Sequence, residues 1–252
     1  MWTSTLPLLA ILLTAELAIR AKYGKGNIQA MNVLLFGATG MVGQGVLREC
    51  LLDSDVQMVQ TIGRTTTGMQ HPKLREVARH DLLHYDDITA SLSGFDACFF
   101  CLGVSSSGMK EEDYERVTYG ITVAAAEVLC HLNPRMTFIY ISGAGTDSSE
   151  HGRVMWARIK GKTENALIQM PFKAAYMFRP GFIEPLYRAR SKTTAYRVFY
   201  MLTKPLLPLL RLAFPNYVLS TQQIGRAMLS VVRHGYPKQV LESKDIRAAA
   251  TQ

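Results

Sequence analysis

Short apolar runs alternate with longer stretches of helical periodicity along most of the chain. Asn32–Phe36 (NVLLF) is the first such run, and the helical pattern of QGVLRECLL follows with apolar Val46, Leu47, Leu51 and Leu52. Val56–Ile62 reads as a second strand. A third leads from Glu76–His80 into Asp81-Leu82, where it is expected to end. The fourth is Ala97–Leu102, the fifth Met136–Ile141 and the sixth Ala174–Phe178. Helices are predicted over Glu111–Leu132, Val154–Met170 and Thr221–His234, the last capped by Ser220 or Thr221. Strands buried on both faces and alternating with helices predict an α/β fold: a doubly wound parallel sheet with helices on both faces.

The connection after the first strand carries the chemistry. GATGMVG places Gly37, Gly40 and Gly43 as G-x-x-G-x-x-G between a strand and a helix, the context of a dinucleotide-binding turn in a Rossmann fold. Gly37 permits the tight turn, and Gly40 admits a pyrophosphate against the backbone. Gly43 lets helix and strand pack closely. The helix N-terminus presents free N–H groups to the anion. Thr39, Met41 and Val42 lie in the same turn and are counted with the site. An NAD site commonly carries an acidic residue after the second strand; Arg64, followed by Thr65, Thr66 and Thr67, stands there instead. A guanidinium suits a ribose 2′-phosphate, so the expected cofactor is NADP(H), with NAD(H) as the alternative. Asp81 and Leu82 are expected at the adenine, although a turn or cap role for Asp81 stays open. Gly103 is expected to let the chain pass close to the nicotinamide. Right-handed crossovers bring Gly37–Gly43, Gly103 and Ser142 to one rim.

Other segments divide the chain further. Residues 1–30 read as an apolar leader, or as a misassigned start preceding Met31. The apolar stretch Leu6–Ile19 contains Glu16 and is shorter than the roughly 20 residues a bilayer span needs. Residues 31–184 form the nucleotide-binding domain, and 185–218 a helical lid or interface segment. Residues 219–252 are expected to be a helix packed on that domain, and a tail. Within 185–218, AYRVFYMLTKPLLPLLRLAFP is apolar on most of its surface. It is therefore expected to pack on the domain, lie in a membrane interface or form a dimer surface.

Charge is unevenly spread. Residues 1–150 carry 11 Lys/Arg against 16 Asp/Glu, and residues 151–252 carry 17 against 4. A basic second half favours an anionic small-molecule substrate or an anionic membrane surface, and its scattered charges argue against nucleic acid. The expected location is cytoplasmic, with contact to the inner face of a membrane through 1–20 or 195–215 as the open alternative. The oligomeric state is not legible. No metal site is expected. Cys98 and Cys101 form a C-x-x-C, but on a strand residues three apart point to opposite faces, so both read as core.

GATGMVG, the Arg64 turn, Asp81-Leu82, ISGAG after the fifth strand, Lys160 and Arg179-Pro180-Gly181 together resemble the atypical and extended short-chain dehydrogenase/reductases. This group is NAD-dependent epimerase/dehydratase-like, and the resemblance spans about Met31–Glu184. It implies that Ser142 orients a substrate oxygen and that Lys160 binds the nicotinamide ribose. It also counts Arg179 and Pro180 among the cofactor residues. The family's tyrosine belongs four residues before Lys160, where this chain has Trp156. An indole N–H only donates a hydrogen bond, so the usual proton route is missing. Tyr140 reads as core, His151 as a solvated loop residue, and Tyr114 and Tyr119 as packing residues. Two functions follow: an NADP(H)-dependent oxidoreductase or epimerase on a small carbonyl or sugar-type substrate, or a non-catalytic NADP(H)-binding sensor or assembly factor.

Overall fold

The computed structural model describes residues 30–187 and 217–252. The leader and most of the 185–218 segment lie outside the described residues, so the expectations placed on them are not addressed by it. The elements run β1 (Met31–Phe36), α1 (Met41–Leu52), β2 (Val56–Gly63), β3 (Leu74–Ala78), a 3₁₀ turn (Asp86–Leu92) and β4 (Ala97–Phe100). Next come α2 (Glu111–Glu115), a π turn (Arg116–Gly120), α3 (Ile121–Leu132), β5 (Thr137–Ile141), α4 (Met155–Gln169) and β6 (Ala174–Arg179). The chain closes with β7 (Phe182–Glu184), β8 (Val218–Ser220), α5 (Thr221–His234), β9 (Val240–Glu242) and α6 (Ser243–Ala249).

Seven parallel strands lie in the order β3-β2-β1-β4-β5-β6-β9. The order reverses at β1, which makes the rim beside β1 and β4 the switch point where such sheets bind ligands. The period of two sorts the strand residues onto two faces. Val33 and Leu35 pack with Val46, Leu47, Ile224 and Met228 under α1 and α5. Leu34 and Phe36 pack with Phe100, Phe138, Leu129 and Leu167 under α3 and α4. On that second face Phe36 and Phe100 stack with centroids 4.9 Å apart, and Phe100 and Phe138 at 5.9 Å. Cys98 joins the second face and Cys101 packs against the first, so the two thiols diverge as expected. Burial pushes both well above the ordinary thiol range.

The structure corrects several boundaries. β3 ends at Ala78 rather than at Asp81-Leu82. Beyond it Arg79 bends the chain, donating to the carbonyls of Asp81 and His84 and pairing with Asp87 at 2.9 Å. β4 ends at Phe100, because the chain leaves the ladder once Cys101 N has bonded Phe36 O. The expected tail instead supplies the seventh strand, β9, and a further helix. Val218 and its neighbours pair with β7 in a separate two-stranded ribbon off the main sheet. Of the two caps considered for α5, Ser220 is the one used, in a reciprocal box with Gln223 at 3.1 and 2.9 Å.

Candidate functional site

The β1–α1 turn can be built only from the residues it has. Gly37 adopts φ +78°, and a Cβ there would lie 2.6 Å from the backbone of Leu102 at the end of β4. A Cβ on Gly43 would lie 2.1 Å from Gly37 O, so helix and strand approach closer than any side chain allows. Gly40 caps α1, and its N–H closes the turn onto Gly37 O at 2.9 Å. A Cβ on Gly40 would meet only Gly37 O, at 3.2 Å; its other sides are open. The first turn of α1 carries no acidic residue to compete for its N–H groups. The geometry therefore leaves room for a phosphate against a backbone already polarised to receive one.

At the end of β2 the loop is tied down from β3. Glu76 accepts from Thr67 N at 2.7 Å and from Thr61 Oγ1 at 3.2 Å, while Arg79 N reaches Gly63 O. Arg64 stands exposed on this loop and makes no ion pair or hydrogen bond among the described residues. Between loop and helix lies a cavity of about 390 Å³ lined by Thr39, Gln44, Arg48 and Thr67, among others. Arg48 was missed by sequence reasoning. With Val46, Leu47, Cys50 and Leu51 buried, it must face the opposite side of α1, and it lies 3.7 Å over the Tyr187 ring. Gly103 is exposed on the neighbouring loop with open space around it.

The Asp81 carboxylate serves its own turn, and the Leu82 side chain packs inward. The Asp81 carboxylate accepts from Leu83 N and His84 Nδ1, each at 2.8 Å, and these bonds hold it below the usual carboxylate range. Leu82 is buried in the core beside Phe36 and Tyr85. The turn role left open for Asp81 is the one the structure shows.

At the ends of β5 and β6 a buried polar cluster forms around Glu164, one helical turn beyond Lys160. Ser142 Oγ donates to Glu164 Oε1, and Lys160 Nζ donates to the Ser142 carbonyl. Arg179 clamps the same carboxylate with Nε at 3.0 and 3.2 Å and with its terminal nitrogen; it also reaches Ser148 Oγ and Glu242. The Glu164 side chain is 1% exposed and that of Arg179 12%. The Arg179 guanidinium is thus spent on internal carboxylates and on Ser148. The Ser142 hydroxyl is likewise committed inward. Pro180 contributes its carbonyl to Ala144 N at 2.9 Å, joining the two strand ends. Trp156 is half-buried, with its ring edge against Gly145. Burial pulls the Lys160 ammonium down to about 8, partly opposed by Glu164. Tyr140 is buried in the core, and His151 is exposed in the loop before α4.

A profile of the NAD dependent epimerase/dehydratase family matches residues 33–153. Over those residues, which run from β1 to the loop before α4, the chain resembles that family's domain. The domain match ends just before Trp156, so the helix carrying Lys160 and Glu164 falls beyond it. Protein FMP52-2, mitochondrial, of Scheffersomyces stipitis is 28% identical over 157 residues, covering 61% of this chain and 67% of its own length. Rat Protein HTATIP2 is 25% identical over 62% of this chain and 64% of its own length. The chain thus spans about two thirds of the curated relatives it matches. Among solved structures, the Bordetella bronchiseptica enzyme WbmF in complex with NAD+ superposes with a TM-score of 0.63 at 17% identity. That match covers 90% of this chain and 78% of WbmF. A UDP-N-acetylglucosamine 4-epimerase from Methanobrevibacter ruminantium M1 gives 0.60 at 13%, over 85% and 76%. These likenesses show the fold alone. The expected cytoplasmic location is overturned, because the fungal relatives are named mitochondrial proteins. Among the described residues no helix is long and apolar enough to cross a membrane.

Proposed function

We propose that this chain is an NADP(H)-dependent oxidoreductase or epimerase-like enzyme acting on a small carbonyl or sugar-type substrate. One observation carries the cofactor choice: the glycine turn is followed, at the end of β2, by an unpaired Arg64 with three threonines, and the one carboxylate at this loop, Glu76 of β3, is held by Thr61 and Thr67. The open side of Gly40 and the uncontested N–H groups of α1 fit a pyrophosphate. Arg64 and Thr65–Thr67 would hold a 2′-phosphate, beside the cavity that Arg48 and Thr67 line. Lys160, anchored on the Ser142 carbonyl, would bind the nicotinamide ribose. When bound, the dinucleotide supplies or accepts a hydride.

Calorimetry with NADPH and NADH tests this. A charge-assisted hydrogen bond contributes about 1.5–3 kcal/mol, so the wild type should prefer NADPH by about tenfold to a hundredfold. Arg64→Asp should remove or reverse that preference. Equal affinities in the wild type would contradict the reading.

A second reading, a non-catalytic NADP(H)-binding sensor or assembly factor, draws support from Trp156 in the tyrosine's place and from the capture of the Ser142 hydroxyl by Glu164. Turnover separates the two, since a sensor binds the dinucleotide without consuming it.

A further inference from the structure

We propose that Lys160 Nζ, rather than a tyrosine hydroxyl, gives and takes the proton that accompanies hydride transfer at this site. This rests on the enzyme reading above and names the acid that reading lacks. Three donors near Lys160 are committed elsewhere or unsuited. Trp156 shares the Lys160 face of α4 one turn earlier, but its indole proton does not leave in water. Ser142 Oγ gives its hydrogen to a buried carboxylate that Arg179 holds in place. Tyr140 lies in the core, where desolvation pushes its phenol far above the ordinary range. Lys160 reaches the end of β5 and keeps two ammonium hydrogens beyond the one it gives to the Ser142 carbonyl.

The surroundings leave Lys160 poised to lose a proton. Burial lowers its affinity for one, to about 8, and Glu164 on its own helix pulls the other way. From β6, Arg179 is joined to that same carboxylate. From β5 and α2, Tyr140 and Tyr114 are buried phenols. The acids on α2 that face α4 are matched: Glu111 with Arg158 at 2.7 Å, and Glu115 with Lys162 at 2.6 Å. Lys162 in turn lies 4.6 Å over the Tyr119 ring of the π turn.

In the reductive direction, the carbonyl carbon gains the hydride and the C=O π pair moves to oxygen. That oxygen takes a hydrogen from Lys160 Nζ as the N–H bond breaks. The hydride comes from the NADPH of the proposed function, so the products are an alcohol, NADP+ and a neutral amine, which recovers its proton from water. Oxidation runs the same steps backwards, with the neutral amine accepting the hydroxyl proton.

The test starts with the free protein, labelled with ¹³C at lysine Cε. The Lys160 resonance is assigned by its loss in Lys160→Arg and followed from neutral to strongly alkaline pH. A midpoint near 8 is expected; a midpoint at the ordinary lysine value, about 10.4, overturns the proposal. NADPH binding and NADPH oxidation are then measured for both proteins with a panel of aldehydes, ketones and nucleotide-sugar ketones. Arginine keeps the charge but does not release its proton. At saturating NADPH, Lys160→Arg should therefore lose about 10²–10⁴-fold in turnover whatever its effect on NADPH affinity, and the wild-type rate should fall as pH rises through 8. Turnover undiminished in Lys160→Arg overturns the proposal, as does a wild type that binds NADPH and reduces nothing in the panel. A wild type that fails to bind NADPH overturns the enzyme reading itself. An ordinary Lys160 midpoint in a protein that binds NADPH overturns this proposal alone.

Discussion

Replacing Arg179 with Met removes the cation that balances Glu164, whose side chain is 1% exposed. The methionine fills part of the space but leaves the buried carboxylate with only the Ser142 hydroxyl and the nearby Lys160 charge. Breaking a buried pair from one side costs about 3–5 kcal/mol, because the remaining charge is stranded in a poorly solvated place. At about 2–4 °C per kcal/mol for a domain of this size, Tm should fall by roughly 6–20 °C. The double variant Arg179→Met/Glu164→Leu should recover most of that loss, since an apolar replacement of a whole buried pair is often neutral. Thermal denaturation followed by circular dichroism measures both. NADPH affinity, taken well below the transition, should stay near wild type in the single variant, because the guanidinium faces carboxylates. An unchanged Tm with a large loss of NADPH affinity would refute the reasoning and return Arg179 to the cofactor. A double variant as unstable as the single one would refute the electrostatic account.

Other expectations follow from the turn and from α4. Gly40→Val should fold normally by circular dichroism yet lose NADPH binding, because its side chain occupies the open side of the turn. Gly43→Ala should lose folding stability as well, since its Cβ would lie 2.1 Å from Gly37 O and the backbone must shift. Trp156→Tyr restores a phenol one turn before Lys160. The alkaline fall in carbonyl reduction should then move upward from about 8, and an unchanged profile would place residue 156 outside the reacting site.

Much of the sheet was legible because its strands are short, apolar and punctuated by glycine. GATGMVG marks the turn, and NVLLF and ACFF each bury both faces. The edge strand β3 was harder. LREVA has no fully buried residue, so hydrophobic pattern does not mark its end. β9 is three residues long and joins the sheet only through its pairing with β6, which no local period announces. The site divided the same way. Residues whose role is backbone geometry, Gly37 and Gly43, could be named from spacing. Residues whose role is pairing could not. Glu164 and Arg179 stand 15 positions apart and meet only once α4 lies on β6. That meeting is what turns Arg179 and Ser142 inward and leaves Lys160 as the group to watch.

A crystal structure of the protein with NADPH decides whether NADP(H) lies along the rim with its 2′-phosphate at Arg64. The pyrophosphate is expected against the N–H groups at Gly40–Gly43, the 2′-phosphate against Arg64 and Thr65–Thr67, and Lys160 at the nicotinamide ribose. A dinucleotide bound elsewhere, or one whose 2′-phosphate points into solvent away from Arg64, would contradict that placement.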